Sequence, residues 1–200
     1  MGMGVEVIGS SARGSVDNHA NVTSRGQLET QAETKELQTY ISEMDGETYQ
    51  VQGHSVTLTS ATHTVLHLKN DSSTQNAQVV FIEIQGVTLA NSNLTSEYFE
   101  LGFGRTVSSN GTAVIPTNMN RTFGKTASVT ATEGAGTTPT MAGTFVPFDR
   151  FYPGSANDKK SYNKAGSLIL GQDDTMEIRY VGTGTTGVAY ARIMFMMVDK

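Results

Sequence analysis

Short runs of β-favouring residues, broken at close intervals by turn signals, constrain this chain more than any other feature. Thr62–Lys69 alternates, with Thr64, Leu66 and Leu68 against His63, Val65 and His67. Ala77–Leu89 holds Val79, Val80, Phe81, Ile82 and Ile84 almost without interruption, the pattern of a buried strand. Glu97–Thr106 alternates again, and Gly187–Val198 sets Val188, Tyr190, Arg192 and Met194 against Ala189, Ala191, Ile193 and Phe195. Shorter strand-like runs fall at Thr48–Val51, Ser55–Thr59, Thr112–Ile115, Thr126–Thr132, Met141–Val146, Gly166–Leu170 and Thr175–Val181. Between them lie Ser109-Asn110-Gly111, Glu133-Gly134-Ala135-Gly136, Pro153-Gly154, Gln172-Asp173-Asp174 and Gly182-Thr183-Gly184. Many short strands at this spacing, with no strand–helix–strand alternation, predict an antiparallel β-sandwich.

Composition points the same way. Hydrophobic residues make up 37% and charged residues 16% of the 200-residue chain, against about 45–50% (glycine counted) and about 25% in ordinary domains. Threonine, about one residue in seven, is β-branched and suits a pleated surface. The length fits one full β domain, or a domain with an arm. A net charge of -5 without a basic run argues against nucleic acid as a partner. The absence of cysteine excludes disulfides and thiolate metal sites. No stretch approaches the roughly 18 apolar residues of a membrane span, so no membrane partner is expected. Met1–Ile8 lacks the basic start of a secretory signal, and synthesis in a cytoplasm is expected. The Asn-x-Ser/Thr sequons at Asn21, Asn93, Asn110 and Asn120 are the chance product of abundant Asn and Thr.

Residues 1–35 are polar, with Gly9-Ser10-Ser11-Ala12-Arg13-Gly14-Ser15 near the start. They hold too few apolar residues for a core, so they are expected to form an extended arm that gains order against a neighbouring subunit. Residues 36–200 would then form the sandwich. Within Glu33–Met44, Leu37, Tyr40, Ile41 and Met44 sit at helical spacing, whereas Leu37, Thr39 and Ile41 fit a strand. The all-β context favours the strand.

Each candidate for chemistry has a simpler explanation. His63 and His67 would share a metal on a helix, but four residues of strand separate them by about 13 Å. Asp173 and Asp174 lie in a turn, where adjacent carboxylates shape the backbone more often than they bind calcium. Gly102-Phe103-Gly104-Arg105 lacks the helix that would turn a glycine-rich run into a phosphate loop. No Gly-x-Ser-x-Gly elbow occurs. No catalytic residue, metal or cofactor is therefore assigned.

Phe145-Val146-Pro147-Phe148-Asp149-Arg150-Phe151-Tyr152-Pro153-Gly154 differs in kind, with four aromatic rings and two prolines. The prolines argue against a regular central strand. Aromatic residues beside an arginine are typical interface anchors, so Phe145, Phe148, Arg150, Phe151 and Tyr152 are candidate partner contacts. The alternative is a long loop that tucks its own rings over the core.

Three segments together carry a resemblance: Asn21-Val22-Thr23-Ser24-Arg25-Gly26-Gln27-Leu28, Glu97-Tyr98-Phe99-Glu100-Leu101, and Ser167 through Tyr180 with Gly171-Gln172-Asp173-Asp174-Thr175 at its centre. The arrangement resembles virion structural proteins of tailed bacteriophages, in which a Ser-Arg-Gly-x-Leu element lies in an arm ahead of a β-sandwich. The resemblance implies a sandwich or jelly roll that oligomerises, often as a trimer, on a capsid or tail. It adds Val22, Arg25 and Leu28 to the candidate contacts and implies no catalytic residues. The expectation is an all-β antiparallel sandwich, jelly-roll-like, with an extended N-terminal arm, although an immunoglobulin-like strand order fits the spacing too. Its expected role is a non-enzymatic capsid decoration (cement) protein of the virion, partnered by capsid or other virion proteins. A tail or head-fibre component that binds a host receptor or glycan is the alternative. A β-sandwich hydrolase or carbohydrate-active enzyme is a third reading, and it would need convergent carboxylates or histidines in a pocket.

Overall fold

The computed structural model describes residues 21–22, 28–29, 46–58, 62–89, 97–182 and 187–200. The chain divides into two units, Met1–Leu37 and Gln38–Lys200. In the first, β1 (Asn21–Val22) pairs antiparallel with β2 (Leu28–Glu29), which sets Val22 opposite Leu28. The remainder of the expected arm, Arg25 with it, lies outside the described residues, as does the doubtful 33–44 segment.

The second unit is all-β among its described residues. Its main strands are β3 (Thr48–Gln52), β5 (His63–Asn70), β6 (Gln75–Val87), β7 (Tyr98–Ser109), β11 (Thr140–Phe151), β12 (Asp158–Leu170), β13 (Thr175–Val181) and β14 (Val188–Asp199). Short strands β4 (Val56–Thr57), β8 (Thr112–Val114), β9 (Thr117–Asn118) and β10 (Val129–Glu133) complete it. All pairings are antiparallel, and two sheets pack face to face as a sandwich. One sheet runs β11-β7-β13-β5-β10-β8, the other β12-β6-β14-β3-β9, with β4 beside β14.

The pairings follow a simple rule. β3 pairs with β14, β5 with β13, β6 with β12 and β7 with β11. The first four main strands thus pair with the last four in reverse order, as in one long antiparallel ribbon. The ribbon is rolled so that β14 also meets β6 and β13 also meets β7. β11 and β12 form one lateral edge of the sandwich, β8 and β9 the other.

Alternation fills the space between the sheets. Leu66, Leu68, Ile82, Ile84, Phe99, Leu101, Met176, Ile178, Ile193 and Phe195 are fully buried there. Each such side chain contributes about 1.5–3 kcal/mol relative to exposure. On β5 the predicted alternation breaks. A register shift opposite Ile178 and Arg179 pairs Leu66 with Ile178 but Thr64 with Arg179. Thr64 therefore leaves the Leu66 face and joins the polar row of its neighbours. Between β7 and β8, Asn110 and Gly111 both adopt positive φ (60° and 81°), the conformation Asn-Gly accommodates at little steric cost.

One expectation for the sandwich needs correction. The aromatic segment from Phe145 is not a loop, because Phe145–Phe151 belongs to β11. Pro147 is tolerated because β11 is an edge strand and a register shift follows it, while Pro153 lies beyond the strand's end. The polar stretch after Gly154 also holds strand, since Asp158–Lys164 is the first half of β12. An edge strand can be polar on both faces, which erases the alternation that sequence reading depends on.

Candidate functional site: the β11 and β12 edge

The candidate contact residues of the sandwich lie on β11 or just beyond it, and local backbone chemistry aims each one. Gly104 on β7 and Gly143 on β11 come close across the strand pair, with φ of +87° and +93°. A Cβ on Gly143 would stand 2.6 Å from the Gly104 carbonyl oxygen, so both positions require glycine. The register then shifts between Gly143 and Val146. Such a bulge re-aims a side chain, and here it lays Phe145 across Gly102. Arg179 covers the Phe145 ring at 3.6 Å from the centroid.

Beside this pair lies Glu100, a carboxylate only 3% exposed between two guanidinium groups. Arg179 donates from Nε and Nη2 to Oε2 at 2.9 and 2.6 Å, and Arg150 donates from Nε to Oε1 at 2.7 Å. The network ties edge strand β11 through β7 to β13. It is the compensation that a buried charge needs.

The other rings of β11 turn inward. Phe148 stacks on Phe103 at 4.6 Å, and Phe151, 8% exposed, stacks on Phe99 at 5.9 Å. Of the candidate anchors, Phe145, Phe148 and Phe151 thus serve the protein's own packing. Tyr152 remains 43% exposed against Tyr98, and Arg150 remains half exposed over the same Tyr98 ring. Sequence reading passed over Val146 and Ile169, each 56% exposed on the edge strands. Both had looked like ordinary members of apolar alternation, and only their edge position leaves them uncovered.

On β12, Lys160, Tyr162 and Lys164 follow at alternate positions and so share one side of the strand. Both ammonium groups lie over the Tyr162 ring, at 5.7 and 5.3 Å, and Lys164 also lies 5.7 Å from the Phe148 ring. The Tyr162 hydroxyl is buried without a hydrogen-bond partner among the described residues. Burial, and then the neighbouring Asp149 carboxylate, pushes its pKa up to about 12.

The residues first suspected of chemistry are all committed elsewhere. His67 is buried on β5, and its Nε2 donates to the Arg105 carbonyl at 2.9 Å. His63 bonds Thr138 through Nδ1 at 3.0 Å. Asp173 has positive φ (65°) and accepts from Lys69 at 2.7 Å, while Asp174 accepts from the Gly171 N–H at 2.8 Å. Sequence reading gave no hint of a further pair. Glu133, 1% exposed, accepts from the His54 backbone N–H and meets His54 Nδ1 at 2.7 Å, which ties β10 of one sheet to the β3–β4 connection of the other. No group of three or more metal-ligating side chains occurs among the described residues. Concave features among the described residues include a shallow cleft of about 340 Å³ between Phe103, Ile169 and Asp174 and one of about 120 Å³ between Gln52, Glu83 and Tyr190. No family model and no curated protein matches this chain.

Proposed function

We propose that this chain is a non-enzymatic structural protein of a virion, a capsid decoration protein that seats itself on the shell through its arm and its strand edges. The observation that carries the reading is where apolar surface is left uncovered. Val146, Tyr152 and Ile169 line the β11 and β12 edge, and Ile115 and Met119 line the β8 and β9 edge. Of the large hydrophobic side chains exposed among the described residues, only Tyr190 lies on a central strand. Apolar exposure gathered along edges is the mark of lateral association.

The strand order supports the same reading. Eight main strands in the orders first-eighth-third-sixth and second-seventh-fourth-fifth match the order expected of a jelly roll, an architecture that viral capsid domains share with lectins and cupins. The edges are guarded against indiscriminate backbone pairing. β11 carries Pro147 and three register shifts, β12 carries Lys159, Lys160 and Lys164, and β8 and β9 are only three and two residues long. The contacts proposed are therefore side-chain contacts, repeated over many copies of an oligomer, a trimer being the favoured closure. Such a protein is made in the host cytoplasm and ends in the virion. Co-sedimentation of the purified chain with capsids that lack it tests the reading. Saturable binding at fixed copy number per capsid supports it, and a free monomer in the supernatant overturns it.

A second reading, a tail or head-fibre component that binds a host receptor or glycan, draws on one observation. Tyr152 and Tyr98 present a ring pair 5.4 Å apart beside Arg150. A host-cell binding assay that loses its signal with Tyr152→Ala, while capsid binding is unaffected, would favour it.

A further inference from the structure

The geometry points to the β11 and β12 edge as a docking site for an acidic polypeptide segment of the partner, whose carboxylates would meet Lys160 and Lys164. This deepens the proposed role and rests on it for the partner's place in an assembly. Lys69, Arg105, Lys125, Arg150, Lys159, Arg179 and Arg192 each have a carboxylate within ion-pair distance. Lys160 and Lys164 have none among the described residues, as is true of Arg121 and of Lys200, which donates to the Ser73 carbonyl. What distinguishes the two lysines is that they lie together on one strand with their charges on ring faces.

Carboxylates are close at hand, which makes the lack of pairing informative. Asp149 accepts the Arg150 N–H at 2.8 Å, and Asp158 accepts the N–H groups of Gly154 at 2.6 Å and Lys159 at 2.8 Å. The acids of this edge are spent on backbone donors, while two bases are displayed. A ring face attracts an ammonium group but leaves its charge unneutralised. An incoming carboxylate can therefore take both charges without first breaking an ion pair.

The surroundings favour a polypeptide over an acidic polysaccharide. Val146 and Ile169, aliphatic and 56% exposed, lie on the same two edge strands. They match apolar side chains, whereas sugars pack best on open ring faces, and both Tyr162 and Phe148 are half-buried.

Binding of the full-length chain to immobilised poly-L-glutamate, to a glutamate–tyrosine copolymer and to heparin tests the assignment without any capsid. The expected result is binding to both polypeptides, tighter to the copolymer, and weakened at least tenfold by Lys160→Glu with Lys164→Glu. The milder Lys160→Gln with Lys164→Gln should weaken it in the same direction. Lys125→Glu, on a lysine paired with Glu47, should leave it unchanged. Val146→Ser with Ile169→Ser should remove the advantage of the copolymer. Absence of binding to either polypeptide, or binding that the double lysine variants do not alter, overturns the assignment. Stronger binding to heparin than to either polypeptide also overturns it and assigns the row to an anionic polysaccharide. Co-sedimentation with capsids is a separate measurement, so either reading can fail while the other stands.

Discussion

Arg179 reaches Glu100 with two donors, Nη2 at 2.6 Å and Nε at 2.9 Å, both on the same carboxylate oxygen. The other oxygen is held by Arg150 at 2.7 Å, so one buried acid balances two bases on adjacent strands. Removing the acid leaves the less exposed guanidinium, Arg179 at 21%, without its counter-charge. Glu100→Ala should therefore cost about 3 kcal/mol, the low end of what breaking a buried pair costs. Arg150→Ala should cost clearly less, since Arg150 is half exposed and Arg179 still satisfies the carboxylate. Urea unfolding of the two variants and of their double mutant checks that order.

Gly102 is required for what lies on it. A Cβ there would stand 2.7 Å from the Val146 carbonyl oxygen and would collide with the Phe145 ring. Gly102→Ala should displace Phe145 from beneath Arg179 and cost about 1–3 kcal/mol, the range for overpacking. Adding Phe145→Ala should restore only part of the loss, because the clash with the backbone oxygen remains. Thermal unfolding of the three variants separates the ring from the backbone.

His67 links stability to pH. Its pKa is lowered, first by burial, against the raising effects of the Arg105 carbonyl and the Glu177 charge. The folded state thus prefers the neutral ring, and the unfolded chain binds the proton more readily. The stabilisation is complete above the unfolded value of about 6.5 and is lost as pH falls below it, by up to about 1.4 kcal/mol per pH unit until the folded pKa is reached. His63 shifts in the same direction through burial and adds to the slope. Urea midpoints between pH 7 and pH 5 should fall for the wild type. They should fall less steeply for His67→Gln, while the remaining slope reports His63.

The interior of this fold was legible where one face of a strand is apolar. β13 and β14 follow period two closely, and Val79 through Ile84 announced a buried strand. Legibility failed at the edges. Asp158–Lys164 shows no apolar alternation because Tyr162 is its one residue packed on the core, yet its backbone pairs with β6 from Gly86 to Phe81. Phe145, Phe148 and Phe151 read as anchors for a partner because ring content does not encode direction. A bulge turns one onto Gly102, and the strand turns the others onto Phe103 and Phe99. The Glu133–His54 contact joins residues 79 apart in sequence, so no local pattern could disclose it.

The contrast between Phe148 and Val146 sets packing apart from association. Phe148 is half-buried, stacked on Phe103 and roofed by Lys164, so Phe148→Ala should cost about 2 kcal/mol, less than the roughly 3–5 kcal/mol of a fully buried ring. Val146, two positions earlier and 56% exposed, packs on little, so Val146→Ser should change stability by no more than about 0.5 kcal/mol. If the β11 edge is the seat on the shell, the order reverses in a capsid co-sedimentation assay. Val146→Ser combined with Ile169→Ser should lose capsid binding while remaining folded. Phe148→Ala should keep binding at temperatures well below its lowered midpoint. A doubly substituted edge that still binds at the wild-type copy number would move the contact elsewhere, to the arm or to the β8 and β9 edge.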